Sequence, residues 1–377
     1  MNKIEKLLNE LCPNGVEFKS LGEVCEVVKG QQLNKNLLLE SGLYPVMNGG
    51  INPSGYWDTY NKNAQTITIS QGGASAGYVN FMQTPFWAGA HCYTIEKVVE
   101  FLNYKFVYYF LKNNQNNLIK SQYGAGIPAL NKTDIQNLQI PIPPLEIQEE
   151  IVKILDAFTE LEARRRQYEY YRNKLLSFEY LKTNGGGYKL KMLGEICERQ
   201  KGINITAGEM EKIAIQNGDI RIFAGGKTFI DTKMELLQEQ NILKKTSIIV
   251  KSRGYVDFEY YTKPFTHKNE LWSYSLNPDT KDINLKFIFY YLKNKVEYFQ
   301  KIARANAVKI PQLAVADTDR FQIPIPPLAT QEKIVNILDQ FHALTTDLQS
   351  GIPAEIEARK KQYEYYRNQL LTFKEAI

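Results

Sequence analysis

The heptapeptide QYEYYRN occurs twice in this chain of 377 residues, at 167–173 and again at 362–368. Three tyrosines and an arginine among charged neighbours are unlikely to recur by chance, so the two copies indicate an internal duplication. The duplication constrains the fold, because any architecture formed by the first half has to be formed again by the second.

The duplication extends over nearly the whole chain. QIPIPPLEIQEEIVKILDAF at 139–158 corresponds to QIPIPPLATQEKIVNILDQF at 322–341, and KSLGEVCEVVKG at 19–30 corresponds to KMLGEICERQKG at 191–202. Each half is therefore a variable body followed by a strongly repeated tail. Glycines at 185–187 cannot continue a helix cheaply, so they mark the boundary between the halves. The sequence predicts four segments, which are bodies at 1–142 and 185–325, a tail with its glycine linker at 143–184, and a second tail at 326–377.

The tails have the apolar spacing of long helices. In the first tail Ile151, Ile154, Phe158 and Leu161 recur at intervals of three or four, which predicts one helix of about 30 residues. A long helix with one apolar stripe has to pack against a partner, and the second tail repeats the stripe. We therefore expect the tails to pair as an antiparallel coiled coil.

The two tails differ by one insertion. The segment TTDLQSGIPAEI at 345–356 has no counterpart in the first tail. Uninterrupted helix over this length would turn the downstream stripe away from its partner, whereas the Gly-Ile-Pro sequence at 351–353 can break the helix. We expect a kink at this position, and one continuous helix in the first tail.

The bodies are predicted to combine strands and helices. The β-branched runs at 66–69 and 246–250 are typical of strands, and each leads into a glycine-containing loop, at 70–77 and 251–254. The aromatic stretches FVYYFLKN and FIFYYLKN fit helices packed on a sheet. The predicted fold class is α+β, with two mixed α/β globular domains separated by the coiled coil of long helices and related by internal two-fold pseudosymmetry.

Composition narrows the class of function. Residues 185–325 contain 22 Lys and Arg against 16 Asp and Glu, whereas residues 1–143 contain 11 against 10. The basic second body suggests a polyanionic partner, although a solvated lysine-rich surface would have the same composition. The four cysteines lack a CxxC spacing and the three histidines lie at unrelated repeat positions, so we expect no metal and no cofactor. Without a run of about 20 apolar residues, we expect no membrane partner. Because the cysteines form no disulfide framework, we expect a cytoplasmic location.

The proline-rich IPIPPL, the IQE or TQE that follows it, and QYEYYRN occur together, in this order, twice. This arrangement resembles the specificity subunit of type I restriction-modification enzymes, and the resemblance covers essentially the whole chain. It implies two target recognition domains that each read one half of a split double-stranded DNA site, with the helices setting the spacing. It also implies two adenine methyltransferase subunits docked on the helices, restriction or translocase subunits associated through the complex, and no catalysis by this subunit.

The candidate DNA-binding residues are polar or aromatic side chains of the bodies. Asn and Gln suit bidentate contacts with adenine edges, whereas Lys and Arg suit guanine edges or phosphates. The candidates are Gln31, Asn48, Gln71, Ser75, Tyr78 and Gln122 in the first body, and Lys201, Lys227, Lys251, Arg253, Tyr255 and Arg304 in the second.

The polar helix faces are candidates for docking a protein partner, because the tails have almost no net charge. A solvated coiled-coil surface would have the same pattern. The candidates are Glu146, Gln148, Glu149, Arg165, Tyr168 and Arg172 in the first tail, and Gln331, Glu332, Tyr363 and Arg367 in the second.

Two other classes of function, an enzyme and an adaptor, compete with DNA recognition. An adenine methyltransferase would need an Asn/Asp-Pro-Pro-aromatic tetrapeptide, whereas the double prolines at 143–144 and 326–327 stand between isoleucine and leucine. Catalysis by this chain is therefore not expected. A coiled-coil adaptor without DNA contact, or a specificity subunit without a cognate enzyme, would share the repeat, and the sequence leaves these alternatives open.

Overall fold

The computed structural model describes residues 3–124, 128–307 and 309–346, together with Leu371 and Phe373. These residues form two compact units. Unit 1 extends to Glu162 and includes Leu371 and Phe373, and unit 2 begins at Ala163. Both units combine strands and helices, so the prediction of two mixed α/β domains is confirmed.

Unit 1 is built around an antiparallel sheet in the order β2-β8-β5-β6. A smaller sheet, β4-β3-β7, has β3 parallel to β7, and β1 pairs with β9. The strands are β1 Glu17–Ser20, β2 Glu26–Lys29, β3 Tyr44–Met47, β4 Tyr56–Trp57, β5 Thr66–Ser70, β6 Val79–Met82, β7 Trp87–Ala88, β8 Cys92–Glu96 and β9 Gln139–Ile142. The helices are α1 Lys3–Leu11, α2 Leu21–Val24, α3 Tyr104–Asn113, α4 Gln115–Lys120, α5 Lys132–Gln136 and α6 Leu145–Leu175, whose second half belongs to unit 2.

Unit 2 repeats this topology strand by strand, with sheets β11-β17-β14-β15 and β13-β12-β16 and the pair β10-β18, and has in addition an α-helix between β11 and β12. The strands are β10 Lys189–Met192, β11 Cys197–Lys201, β12 Ile220–Phe223, β13 Phe229–Thr232, β14 Ser247–Lys251, β15 Asp257–Tyr261, β16 Phe265–His267, β17 Trp272–Leu276 and β18 Gln322–Ile325. The helices are α7 Phe178–Thr183, α8 Leu193–Ile196, α9 Ala207–Ile213, α10 Leu285–Asn294, α11 Val296–Ala305, α12 Val315–Asp319 and α13 Leu328–Thr346. Short 3-10 turns lie at Lys35–Leu37, Met234–Leu236 and Glu239–Asn241.

The first tail forms the continuous helix that its apolar spacing predicts. Helix α6 has 31 residues, and near its end Tyr171 stacks on Phe341 of α13 with ring centroids 5.3 Å apart. Helix α13 is described as far as Thr346. The predicted kink at 351–353 lies outside the described residues.

A buried glutamine fixes the start of each tail. Gln148 Oε1 accepts a hydrogen bond from the Asn103 backbone N–H at 2.7 Å, and Nε2 donates to the Pro143 carbonyl, also at 2.7 Å. Gln331 makes the same contacts with Asn284 and Pro326. Both glutamines are fully buried, so their assignment to a partner-docking surface is incorrect. Their amides satisfy backbone groups that would otherwise be buried without partners.

A second shared contact ties each tail to its body. Asp156 of α6 accepts hydrogen bonds from Lys105 Nζ at 2.6 Å and from the Tyr109 hydroxyl at 2.7 Å. Asp339 of α13 is held in the same way by Lys286 and Tyr290. Each carboxylate therefore anchors its helix on the aromatic helix of the same body.

Each copy of the repeated heptapeptide is followed by leucines, and those that the structure describes are buried in a core. Leu175 and Leu176, which follow the first copy, are buried in the core of unit 2. Leu371, which follows the second copy, is buried in the core of unit 1, to which Ile4 and Leu7 of α1 also belong. Each copy of the heptapeptide therefore precedes a leucine that is buried in one of the two units.

Candidate nucleic-acid interface

In unit 1, loops that follow several strands meet at one end of the sheets. The Gln71 N–H donates to the His91 carbonyl at 2.9 Å, and the His91 N–H donates to Asn48 Oδ1 at 3.1 Å. The Gln31 N–H donates to the Ala88 carbonyl at 2.8 Å. These bonds bring three predicted residues together, and we call this surface loop cluster 1, consisting of residues 30–31, 48–50, 71–73 and 89–91.

Two glycines, Gly72 and Gly73, leave part of the backbone of loop cluster 1 open. A Cβ atom at Gly73 would meet nothing within 4 Å, and one at Gly72 would come no closer than 3.8 Å to His91 Nδ1. Open backbone flanked by amide side chains allows base edges or phosphates to approach closely. His91 is exposed in loop cluster 1. The sequence did not predict this residue, because only contacts with residues distant in sequence bring His91 to the surface.

The remaining candidates of unit 1 make contacts that shape the adjoining turn. The Gln122 amide donates to the Ala76 carbonyl at 2.6 Å, and the Ser75 carbonyl accepts from the Tyr78 N–H at 2.9 Å. The Tyr78 ring is half-buried, with Lys112 Nζ 4.1 Å from its centroid. The Gln122 amide and the backbone bond between Ser75 and Tyr78 therefore support the turn that follows Gly73.

Unit 2 assembles the equivalent loops with different chemistry. Lys227 Nζ lies 5.9 Å from the centroid of the Tyr255 ring, and Lys227, Arg253 and Tyr255 are all exposed. The Ser252 hydroxyl donates to the Glu270 carbonyl and so joins two of the loops. We call this surface loop cluster 2, consisting of residues 225–227, 252–255 and 268–270. It is basic and aromatic, whereas loop cluster 1 is formed by amides, a histidine and glycines.

Equivalent pairings show which positions correspond. Gly72 pairs with Ala129 in an isolated β-bridge, and Arg253 pairs with Gln312 in the corresponding β-bridge of unit 2. The residues beside these bridges also match, since the Leu130 N–H donates to the Gln71 carbonyl and the Leu313 N–H to that of Ser252. At the same place in the fold, unit 1 therefore has open backbone and unit 2 an exposed guanidinium.

Lys251 does not belong to this surface, although the sequence predicted that it would. Only 5% of the residue is exposed, and its Nζ lies 3.4 Å from Glu259 Oε2 and 4.5 Å from the centroid of the Phe223 ring. Burial lowers the pKa of this amine. The assignment of Lys251 to DNA binding is incorrect, because its ammonium points into the domain.

The last two candidates of the second body are exposed outside loop cluster 2. Lys201 ends strand β11, and Arg304 lies on α11. The Gln312 N–H donates to the Ala303 carbonyl at 3.1 Å, so Arg304 adjoins the segment that pairs with Arg253.

A buried histidine supports loop cluster 2 from below. His267 Nε2 lies 3.2 Å from the Ser273 hydroxyl, which in turn donates to Gln200 Oε1 at 2.9 Å. Burial lowers the pKa of His267 to about 4. The neighbouring charges are Lys251, which lowers the pKa further, and Glu270, which opposes that shift.

We expect unit 2 to lose stability as the pH falls from 6.5 towards 4. In this range unfolded His267 takes up a proton and folded His267 does not, so protons favour the unfolded state. At pH 5 this residue should account for a loss of about 2 kcal/mol. The test is urea unfolding at pH 7.5 and 5, followed by Trp272 fluorescence with Trp57 and Trp87 changed to phenylalanine. If the His267→Gln variant lost as much stability between pH 7.5 and 5 as the wild type, His267 would not be the cause of the loss.

The docking candidates on the tails occupy varied surroundings. Arg165 lies 3.9 Å from Glu169, and the Arg172 guanidinium lies 5.5 Å from the centroid of the Tyr168 ring. Tyr168 also packs against Phe341. Glu146, Glu149 and Glu332 are exposed, whereas Tyr363 and Arg367 lie outside the described residues.

Neither a metal-ion site nor a membrane-spanning helix lies in the part of the chain that the structure describes. None of its His, Cys, Asp and Glu side chains are grouped so that they could hold a metal ion. None of its helices combines the length and the apolar character needed to cross a membrane. The cysteines are unpaired thiols, and burial raises the pKa of Cys25, Cys92 and Cys197 to about 12.

Comparison with known proteins gives consistent matches along the chain. A family model described as the type I restriction modification DNA specificity domain matches residues 13–168 and 186–358. A putative type I restriction enzyme specificity subunit from Haemophilus influenzae is 30% identical, over 98% of this chain and 98% of that protein. The EcoR124I/EcoR124II specificity subunit of Escherichia coli is 30% identical over 71% of this chain and 70% of its own length. The crystal structure of a type I S subunit from M. genitalium covers 94% of this chain and 95% of its own, with 21% identity and a TM-score of 0.49.

Proposed function

This chain belongs to the family of type I restriction-modification DNA specificity subunits, and we propose that it reads a bipartite, asymmetric DNA site, one half through each unit. As a specificity subunit it recognises DNA and does not itself catalyse a reaction. The observation that carries the proposal is the equivalence of Gly72 and Arg253, which gives two matching surfaces different chemistry. Two surfaces of different chemistry favour two different half-sites.

Each loop cluster supplies its own readers in this proposal. Gln31, Asn48 and Gln71 would contact base edges of the first half-site through their amides, which suit adenine. Lys227 and Arg253 would contact guanine edges or phosphates of the second half-site, with Tyr255 packed beside them. Residues 1–142 and 185–325 would then be the two target recognition domains.

The long helices would set the distance between half-sites. A helix of 31 residues is about 46 Å long, which corresponds to about 14 base pairs of B-DNA at 3.4 Å each. We propose that the segments 143–184 and 326–377 pair as an antiparallel coiled coil that relates the two domains by a pseudo-two-fold axis. The stacking of Tyr171 on Phe341 supports pairing of the tails.

The exposed tail residues would dock two methyltransferase subunits, with restriction or translocase subunits joining through the complex. Glu146 and Glu149 on α6 and Glu332 on α13 support this role, because they are exposed near the starts of equivalent helices. We place the complex in the cytoplasm, where the DNA that it would read is found.

Exchange of one body tests the proposal. When residues 1–142 are replaced by the corresponding body of a relative, we expect one half-site of the methylated sequence to change and the other to persist. Sequencing of methylated adenines in cells that also express the methyltransferase subunit gives both half-sites. A change in both half-sites, or in neither, would show that the units do not read DNA independently.

A further inference from the structure

Unit 2 contains an open cavity of about 730 Å³ beside loop cluster 2. The end of α6 forms one wall, including Arg172, and the turn from α10 to α11 forms another, including Lys293 and Lys295. Tyr255 of loop cluster 2 contributes to the rim. The cavity therefore adjoins the surface proposed to read the second half-site.

The charges that line the cavity favour a monoanion. Lys293 Nζ is already paired with Asp257 Oδ1 at 2.5 Å. Arg172 and Lys295 lie over the faces of Tyr168 and Tyr291 and form no ion pair with carboxylates of the described residues.

Arg172 Nε is buried and lacks a hydrogen-bond partner within the described part of the chain. The lining contains one acidic residue, Glu297, which is exposed. Because Lys293 is paired, Arg172, Lys295 and Glu297 leave the lining of the cavity with a net charge of +1.

We propose that this cavity binds a phosphate group of the DNA backbone beside the second half-site. This inference rests on the proposed function of loop cluster 2. A phosphodiester carries one negative charge, and the side-chain amides of Asn173 and Gln300 in the lining are donors of a kind that commonly contacts phosphate oxygens. Because Tyr255 borders both surfaces, a strand whose bases face Arg253 would pass its backbone along the cavity.

The internal repeat supplies a matched variant. Lys295 joins α10 to α11, and Asn114 joins α3 to α4 at the equivalent place in unit 1. Lys293 corresponds to Lys112, so Lys295 is the additional cation in unit 2. Lys295→Asn therefore removes the charge and introduces a residue that the equivalent turn already accommodates.

The test uses the full chain and two fluorescent duplexes of equal length, one with the recognised site and one unrelated. Binding is measured by anisotropy between about 50 and 200 mM salt. Lys295→Asn should weaken binding to both duplexes by a similar factor, and should reduce the slope of log K against log salt by about 1. The preference between the duplexes should remain. Lys244→Asn is the control, because Lys244 is exposed and paired with Glu239 at 3.0 Å.

Three results would overturn the inference. If Lys295→Asn left the DNA affinity and its salt dependence unchanged while the wild type bound normally, the cavity would not be a phosphate site. The proposed function would stand. Unchanged DNA binding with weaker binding of the methyltransferase subunit would assign the cavity to an acidic group of that partner. Absence of salt-dependent DNA binding by the wild-type chain would contradict both the inference and the proposed function. A thermal melt of Lys295→Asn that matches the wild type confirms that folding is intact.

Discussion

Replacement of Arg253 by alanine is expected to weaken binding to the recognised duplex roughly 5- to 150-fold and to relax the sequence preference in one half-site. A bidentate contact between a guanidinium and guanine contributes about 1–3 kcal/mol of discrimination. The Arg253 side chain is exposed, and its bridge with Gln312 is made by the backbone, so alanine should not destabilise unit 2. The measurement is binding to a panel of duplexes in which each base pair is varied in turn.

Two controls make the Arg253 result specific. Lys295→Asn should weaken all duplexes alike, because a phosphate contact does not depend on sequence. Gly72→Ala in unit 1 should leave the fold intact, since a Cβ at Gly72 would come no closer than 3.8 Å to its neighbours. It should affect only the half-site that unit 1 reads. If Arg253→Ala weakened every duplex equally, Arg253 would contact the backbone and not a base.

Replacement of Gln331 by leucine is expected to destabilise unit 2 by about 3–5 kcal/mol. The change removes hydrogen bonds to the Asn284 N–H at 2.9 Å and to the carbonyls of Asp282 and Pro326 at 3.0 and 2.8 Å. Each buried polar group left without a partner costs about 1–3 kcal/mol. Urea unfolding followed by Trp272 fluorescence measures the loss, because Trp272 is buried in β17.

Neighbouring and equivalent residues provide the comparison for Gln331. Gln148→Leu should destabilise unit 1 by a similar amount, because Gln148 makes the same contacts there. Glu332→Ala, at the next position of α13, should change stability by less than about 0.5 kcal/mol because Glu332 is exposed. If Gln331→Leu left stability unchanged and abolished binding of the methyltransferase subunit, Gln331 would be a docking residue after all.

Local periodicity and the repeat were sufficient to predict much of the fold. The β-branched runs became β5 and β14, and the aromatic stretches became α3 and α10. The apolar spacing of the first tail predicted a helix of about 30 residues, and α6 has 31. These features depend on neighbouring residues, so a single sequence contains the information needed to infer them.

Burial of polar side chains could not be predicted in the same way. Lys251 and Gln148 were expected at the surface because their residue types usually lie there, yet contacts distant in sequence enclose both. His91 was missed for the related reason that hydrogen bonds to three-dimensional neighbours, including Asn48 and Gln71, place it in loop cluster 1. Residue type indicates what a side chain can do, and the fold decides where it does so.

The most direct test of the central claim is a map of adenine methylation in genomic DNA after co-expression of this chain with a methyltransferase subunit. Recognition by two different units predicts one split motif with two dissimilar half-sites, present only when the chain is expressed. Absence of such a motif, with the chain folded and the methyltransferase bound to it, would contradict the proposal that the chain specifies a bipartite DNA site.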